Sequence, residues 1–163
     1  MNIFHLSNDP YTSAKAMTNK HCVKMILESA QLMCTAHRVI DPESPFLDVL
    51  YKETHKNHPS AIWTRETSGN YLWLYEHFIA LCKEYTSRYN KIHKTQRDLE
   101  VALGHFPAGI TYEGQTPFRM AMPDLYKGED PVMAYRRYYV KEKIKTDQDR
   151  ERYIRVLREE VKQ

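Results

Sequence analysis

The sequence has few of the residues that mark several common classes of protein. Only five of its 163 residues are glycine, which argues against the many tight turns of an all-β fold. Its three cysteines, an odd number without CxxC spacing, predict buried free thiols in a reducing compartment. No apolar run is long enough to cross a membrane, and the first ten residues lack the basic and apolar regions of a secretory signal. We therefore expect a cytoplasmic protein with no membrane partner.

Signals that start helices are present instead. A capping residue followed by proline opens a helix, and this pair occurs at Asp9-Pro10, Ser44-Pro45 and Asp130-Pro131. Helices are expected at residues 10–17, 20–38, 44–52, 70–93, 95–103 and 131–143, with a break at His58-Pro59, a loop over 104–123 and a last charged helix from 146. The predicted fold is all-α, a compact single domain of six or seven helices. Residues 1–145 form its functional part and 146–163 a charged C-terminal helix.

One of these helices gathers polar residues on a single face. In the apolar helix over 20–38, polar positions follow steps of three and four, which place them on one side. They are Lys20, Lys24, Glu28, Gln31, Thr35 and Arg38. The face is either a solvated surface with lysine–glutamate pairs or one wall of a cleft. In a cleft, Lys20 or Lys24 beside another cation would be a nucleophile, and Glu28 would be an acid or a base. His21 lies one position off this face, where a structural histidine is more common than a catalytic one.

The long helix over 70–93 has its own polar stripe. Asn70, His77, Glu84 and Lys91 recur every seven residues, and Arg88 follows Glu84 by one turn. Polar groups in so apolar a helix need partners or water. A Glu84–Arg88 pair that orders the fold is the simpler interpretation. The alternative is that Asn70, Glu84 and Arg88 orient catalytic groups from beneath the site.

A short segment in the middle of the chain is basic and aromatic. It contains His55 and His58, and Arg65 follows. Two histidines without a carboxylate partner are a weak metal signal, so we predict no metal site and no cofactor. A structural turn or a loop that contacts phosphate explains the segment better.

A segment near the C-terminus mixes cations, which meet phosphates, with aromatic rings, which stack on unpaired bases. Its candidate nucleic-acid contacts are Tyr135, Arg136, Arg137, Tyr138, Tyr139 and Lys143. From residue 131 onward, ten basic side chains stand against six acidic ones, as a nucleic-acid surface requires. An amphipathic helix with its tyrosines in the core explains the pattern equally well.

Two sets of motifs resemble known families. The segment HCVKMILE, with His21 seven residues before Glu28, and the segment YRRYYVK resemble the small pyrimidine-dimer DNA glycosylases of the endonuclease V type. Over residues 1–143 the chain also resembles a group of uncharacterised phage-encoded proteins. The shared segments read NKHCVKMILE, HPSAIW, NYLWL, EYTSRY and MPD here.

The glycosylase resemblance implies a compact all-helical enzyme of DNA repair that binds damaged or modified double-stranded DNA and flips a nucleotide out of the stack. It implies that an amine attacks the sugar C1′, that the base leaves, and that a lyase step follows through the imine. Glu28 would stabilise the sugar cation and assist proton transfer, and His21 would hold the abasic intermediate. Residues 135–139 would face the lesion.

This sequence departs from that family at the nucleophile. The family uses the α-amine exposed when Met is removed before Thr, whereas the second residue here is the larger Asn2. The amine would then be that of Met1, or Lys20 or Lys24 would replace it. Leu27 also precedes Glu28 where the family has arginine neighbours.

Two other functions remain open from the sequence. One is a phage nucleotide-modification or DNA-modification enzyme on the same helical scaffold that uses His21, His55 and His58 differently. The other is a non-catalytic protein that binds nucleic acid or a host factor through its C-terminal segment.

Overall fold

The computed structural model describes all 163 residues and contains helices but no strand. Its seven α-helices form a single domain, which confirms the all-α class and the expected number of helices. They are α1 (Pro10–Lys15), α2 (Asn19–Ile40), α3 (Pro59–Glu66), α4 (Ser68–Tyr89), α5 (Lys94–Leu103), α6 (Pro131–Glu142) and α7 (Asp147–Val161). A 3-10 turn at Asp124–Tyr126 precedes α6. No helix combines the length and the apolar character needed to span a membrane.

Three of the expected helix starts are confirmed by their capping bonds. The Asp9 side chain accepts from the backbone N–H of Thr12 at α1, and Asp130 accepts from N–H groups in the first turn of α6. At α7, Thr146 accepts from the N–H of Asp149. Each cap satisfies a backbone donor that has no partner inside its helix. Local sequence therefore determines where these helices begin.

The prediction of a helix over residues 44–52 is wrong, because this segment forms a series of turns. Its carbonyl groups are bound by Arg38 of α2 instead of by a helical ladder. The guanidinium donates to the carbonyl oxygens of Leu47 at 3.0 Å, Leu50 at 2.7 Å and Tyr51 at 2.6 Å. Charge-assisted bonds of this kind are stronger than neutral ones, so a residue outside the segment decides its conformation.

Two other boundaries differ because histidines serve as caps. His58-Pro59, expected to break the chain, opens α3, and Nδ1 of His58 accepts from the N–H of Ser60 at 3.1 Å. At α5 the cap is His93, which accepts from the N–H of Thr95 at 3.1 Å. Histidine is not among the side chains that usually cap helices. The start of α3 therefore has only Pro59 as a sequence signal, and α5 begins one residue before the expected Thr95.

The first residues of the chain are buried although they are extended. The ring of Phe4 stacks on His21 of α2 at 4.6 Å, and His5 lies among aromatic rings from α3, α4 and α6. The segment's backbone is satisfied by α1, since Ser13 Oγ accepts from the N–H of Leu6 and donates to the carbonyl of Phe4. The core therefore encloses this segment and fixes the position of the N-terminus in the fold.

The central core is built mainly by α2 and α4. Both helices contribute apolar side chains to one buried cluster, and all three cysteines are buried free thiols, as expected. Helix α4 ends four residues before the expected His93, because Asn90 adopts a left-handed φ of 52°. The two long helices thus form the platform on which the shorter elements pack.

Helix α7 is attached at both ends. At its start, Asp149 accepts from the N–H of Asn19 at 3.0 Å. Near its end, Glu160 pairs with Arg136 of α6 at 2.6 Å, and Tyr153 between them is buried in the core. The charged helix therefore packs on the rest of the domain.

The loop over 104–123 crosses the start of α4 at Gly69. A Cβ at this position would lie 2.4 Å from the backbone nitrogen of Gln115, so only glycine allows the two backbones to approach so closely. The N–H of Gly69 also donates to the carbonyl of Glu113 at 3.0 Å. The crossing holds the loop on its path back to the N-terminus.

Candidate active site

The beginning of the chain meets the carboxylate of Glu28. The α-amine of Met1 lies 3.8 Å from Oε2, and the backbone N–H of Asn2 donates to the same oxygen at 3.1 Å. The other oxygen, Oε1, lies 3.5 Å from the ammonium of Lys24, one turn earlier on α2. Only 12 % of the Glu28 side chain is exposed, so these charges interact with less screening than in bulk water. One carboxylate thus holds two amines, one on each side.

The side chain of Asn2 fixes the direction of this N-terminus. Its Nδ2 donates to the carbonyl of Ala121 in the long loop at 2.8 Å. Its Oδ1 accepts from the N–H of Ile3 at 2.8 Å and lies 3.3 Å from the hydroxyl of Tyr135 on α6. The long loop and α6 therefore orient residue 2, and its backbone nitrogen faces Glu28 of α2.

A cavity of about 180 Å³ opens beside the carboxylate. Its walls come from the N-terminus, α2 and the end of α6. They are formed by Met1, Asn2, Phe4, His21, Lys24, Met25, Glu28, Tyr138 and Lys143. The ammonium of Lys143 lies 5.1 Å from the centre of the Tyr138 ring, a cation–π distance. The cavity combines three amines with one carboxylate, which suits a ligand that carries negative charge next to an electrophilic carbon.

His21 forms the deep wall of the cavity. Its ring stacks on Phe4, and its Nδ1 lies 2.9 Å from the hydroxyl of Tyr139. Burial lowers the pKa of His21 to about 4, and the positive charges of Lys143 and Lys24 act in the same direction. Near neutral pH this imidazole is therefore uncharged.

The first 97 residues of the chain identify its family. Residues 1–97 match the family described as pyrimidine dimer DNA glycosylase. The chain belongs to this glycosylase family. The resemblance carried by His21 and Glu28 is thereby confirmed at the level of the family. No curated protein and no solved structure shows significant similarity to the chain.

The residues that match the family model include only part of the cavity. The N-terminus and α2 lie inside the match, whereas Tyr138 and Lys143 lie beyond residue 97. The remaining wall of the cavity is therefore described by the structure alone.

The structure divides the polar face of α2. Lys24 and Glu28 reach the cavity, but Lys20 is exposed and is not part of its wall. Further along, Thr35 Oγ1 binds the backbone of Thr54, and Arg38 holds the turns that follow α2. The face thus lines the cavity at Lys24 and Glu28 and binds neighbouring backbone at Thr35 and Arg38.

Two of the candidate residues near the C-terminus reach the cavity, namely Tyr138 and Lys143. Tyr135 and Tyr139 are completely buried, so neither presents a ring to a base, and the expectation of direct stacking by these two is corrected. They occupy the side of α6 that packs inward. The interpretation as an amphipathic helix with core tyrosines therefore describes them better.

The two arginines of α6 have partners within the protein. Arg136 donates to the carbonyl of Leu6 at 2.7 Å and pairs with Glu160 of α7. Arg137 donates to the carbonyl of Tyr126 at 2.9 Å. Both lie at an apolar groove between α6 and α7, on a different surface from the cavity. Neither lines the cavity, so their contact with nucleic acid stays a prediction.

The histidine segment lies beside the cavity. Burial lowers the pKa of His58, the charges of the N-terminus and of His55 add to the effect, and Glu28 opposes it. His55 is exposed with a left-handed φ of 48°. Arg65 on α3 is half-buried, and its Nη1 has no hydrogen-bond partner. No three His, Cys, Asp or Glu side chains are grouped as metal ligands.

The polar stripe of α4 holds the scaffold together. Asn70 binds Thr116 of the long loop, accepting its N–H at 2.8 Å. Arg88 pairs with Glu84 at 3.0 Å and donates to the carbonyl of Met17 at 2.9 Å. This contact fixes the turn that leads into α2 and His21. The three side chains lie outside the cavity, as the interpretation of an ordering pair describes.

Sequence reasoning missed three residues of the site. The sequence marks Asn2 only as a departure from the family and predicts no role for Phe4 or Met25. Phe4 belongs to an extended segment, where no periodic pattern marks its side chain as a cavity wall. Met25 follows Lys24 directly and shares its helix turn, which is the one signal that could have found it.

Proposed function

We propose that the protein is a DNA base-excision enzyme that uses an amine as nucleophile and Glu28 as acid and base. The observation that carries this proposal is the α-amine of Met1, which lies 3.8 Å from a largely buried carboxylate in a cavity lined by two lysines. An amine next to a base in a partly closed site is the arrangement that nucleophilic catalysis requires.

In the first step, the amine attacks C1′ of the damaged nucleotide. The C1′–N bond to the base breaks, and the base leaves with the electron pair and gains a proton. Positive charge develops on the sugar, and the Glu28 carboxylate stabilises it at short range. Glu28 then accepts a proton from the attacking nitrogen and passes it to O4′ as the C1′–O4′ bond breaks, which opens the sugar ring and gives the imine.

The lyase step uses the same groups. Loss of a proton from C2′ of the imine expels the 3′ phosphate by β-elimination, and the strand is cut. Glu28 is the only carboxylate in the cavity wall and therefore the base for this step. The positive charge of the iminium nitrogen acidifies the C2′ hydrogen, so a carboxylate is a sufficient base.

Among the candidate amines, position favours Met1. Its α-amine lies 3.8 Å from Oε2 of Glu28, and only 5 % of the Met1 side chain is exposed. Lys24 is also beside Glu28, but 58 % of its side chain is exposed. Lys20 lies outside the cavity wall. We assign the nucleophile to Met1 and electrostatic attraction of phosphate to Lys24.

The proposed substrate is double-stranded DNA that carries a damaged or modified base. Lys24 and Lys143 would neutralise backbone phosphates at the cavity, and the half-buried Tyr138 of α6 supplies an aromatic wall. His55 and His58 extend this surface beyond the N-terminus. A flipped nucleotide enters such a cavity most easily where damage has already weakened stacking.

Borohydride trapping tests the proposal. Duplexes that carry an abasic site or a cyclobutane dimer are incubated with the protein and borohydride, which reduces an imine to a stable adduct. We expect an adduct whose peptide fragment contains Met1, and loss of the adduct in the Glu28→Gln variant. Lys94 and Asp98 form another lysine–acid pair one helical turn apart on α5, so Asp98→Asn is the matched control and should trap normally.

Other outcomes decide against the proposal. An adduct on Lys24 would reassign the nucleophile, and the absence of any adduct from protein with a free N-terminus would refute the imine mechanism. Salt-dependent DNA binding without any adduct would indicate a binding protein instead.

A further inference from the structure

The hydroxyl of Tyr139 lies at the centre of a buried network directly behind His21. The Tyr139 side chain is completely buried. Its oxygen accepts from the backbone N–H of Thr18 at 2.9 Å and lies 2.9 Å from Nδ1 of His21. Thr18 Oγ1 lies 3.3 Å from the same hydroxyl and caps α2 by accepting from the N–H of His21. Three residues therefore share a small set of protons.

Only one arrangement of these protons gives each donor an acceptor. The tyrosine hydroxyl has one proton, and its nearest acceptor is Nδ1 of His21. Thr18 Oγ1 can then donate its own proton to the tyrosine oxygen. If the histidine instead donated from Nδ1, the tyrosine would donate to Thr18 Oγ1 or to the weakly accepting sulfur of Met17 at 3.5 Å. In either case the tyrosine oxygen would already accept from His21 and from the N–H of Thr18, so the threonine proton would be left without an acceptor. Buried donors without acceptors are costly.

This arrangement determines which nitrogen of His21 carries the proton. A neutral imidazole has one protonated nitrogen, so a bare Nδ1 requires the proton on Nε2. Nε2 has no partner within the protein, and His21 lines the cavity. The stacked ring of Phe4, 12° from parallel, prevents the imidazole from tilting away. An N–H donor of fixed direction is therefore available to a ligand in the cavity.

We propose that Tyr139 is a positioning residue that holds His21 as the neutral tautomer protonated at Nε2. In this form His21 donates a hydrogen bond to an oxygen of the sugar–phosphate in the cavity. The identity of that ligand rests on the proposed function, but the tautomer does not. In the reaction, the donor meets the ring oxygen of the sugar as it gains electron density during opening. His21 transfers no proton and acts as a fixed dipole.

Nuclear magnetic resonance of the free protein tests the tautomer directly. The protonated and bare nitrogens of a neutral imidazole have well-separated ¹⁵N shifts, and long-range correlations to the ring hydrogens assign them. We expect a bare Nδ1 and a protonated Nε2 for His21 in the wild-type protein. A protonated Nδ1 would overturn the proposal, whatever the activity, and this measurement needs no variant that must fold.

The Tyr139→Phe variant tests the consequence for the reaction. We expect the single-turnover trapping rate to fall about tenfold with unchanged substrate affinity, less than the hundredfold or more that loss of a charge-stabilising donor itself costs. Tyr71→Phe is the matched control, because Tyr71 is also buried and its hydroxyl lies 3.0 Å from Nε2 of another histidine, His37. It lies outside the cavity wall, so its trapping rate should stay at the wild-type value. Equal losses in both variants would overturn the positioning role.

A double-mutant cycle separates the positioning role of Tyr139 from general packing. In His21→Gln, the glutamine amide supplies a donor near the Nε2 position without needing Tyr139. Adding Tyr139→Phe to His21→Gln should therefore cause no further loss of rate. An additive tenfold loss would show that Tyr139 acts without His21. Failure of the wild-type protein to trap any DNA would refute the proposed function, while the ¹⁵N spectrum would still decide the tautomer.

Discussion

Acid should destabilise this protein through His77, a histidine that is completely enclosed by α4 and its neighbours. Its ring stacks on Trp73 at 5.1 Å, and Nδ1–H donates to the carbonyl of Pro10 at 3.0 Å. Burial lowers the pKa of His77 from 6.5 to about 4, although the Pro10 carbonyl and the charge of Asp9 oppose the shift. The imidazole of His77 therefore takes up a second proton far less readily in the folded protein than in the unfolded chain.

The sign and the size of the effect follow from proton linkage. Above pH 6.5 the residue is neutral in both states, and stability does not depend on it. As the pH falls below 6.5 the unfolded chain binds the proton first, so the free energy of unfolding declines until the pH reaches the folded value near 4. Between pH 7 and pH 5 the loss from this one residue is about 2 kcal/mol. His5, also fully buried with a pKa lowered by burial and by His77, acts in the same direction.

Urea unfolding at pH 7, 6 and 5, followed by tryptophan fluorescence, measures the effect. His77→Asn keeps a donor for the Pro10 carbonyl but cannot titrate. Its stability at pH 7 should be lower than wild type, and its further loss on going to pH 5 should be smaller by about 2 kcal/mol. His105→Asn is the matched control, because His105 also binds a backbone carbonyl but is exposed. Parallel pH profiles for wild type and His77→Asn would refute the reasoning.

Three further predictions concern the scaffold and the N-terminus. Asn2→Ala removes the bond to Ala121 and should slow imine trapping about tenfold or more because the amine loses its fixed direction. An unchanged rate would contradict the orienting role of Asn2. Mass spectrometry must first confirm that the N-terminus of the variant is intact. Gly69→Ala should lower the free energy of unfolding by about 1–3 kcal/mol in urea titration, whereas Gly114→Ala, where a Cβ would meet open space, should have little effect. Arg88→Leu should cost about 3 kcal/mol because it leaves Glu84 unpaired in a half-buried site, and a change below 1 kcal/mol by the same titration would contradict the ordering role.

Much of the fold could be predicted because its signals are local. The starts of α1, α6 and α7 depend on a cap at Asp9, Asp130 or Thr146 and on the residues directly after it. The segment over 44–52 has the same kind of signal at Ser44-Pro45, yet it forms turns. Its backbone is bound by Arg38, a partner that no local pattern can identify.

The candidate site likewise has some features that the sequence predicts and others that it does not. His21 and Glu28 lie two helical turns apart on one helix, and the glycosylase resemblance of the segment that contains them implies their shared role. The place of the N-terminus could not be predicted, because it depends on the bond from Asn2 to Ala121, which is 119 positions away. Likewise the burial of Tyr139 follows from how α6 packs on the start of α2 and from no property of the tyrosine itself.

The bond between Tyr135 and Asn2 has a consequence for biosynthesis. The two residues are 133 positions apart, so the amine leaves the ribosome long before the helix that helps to hold it. Until α6 has folded, residue 2 lacks one of its supports and the cavity lacks its Tyr138 and Lys143 wall. A nascent chain therefore displays a solvated amino terminus, and the closed cavity forms only after α6 has been made.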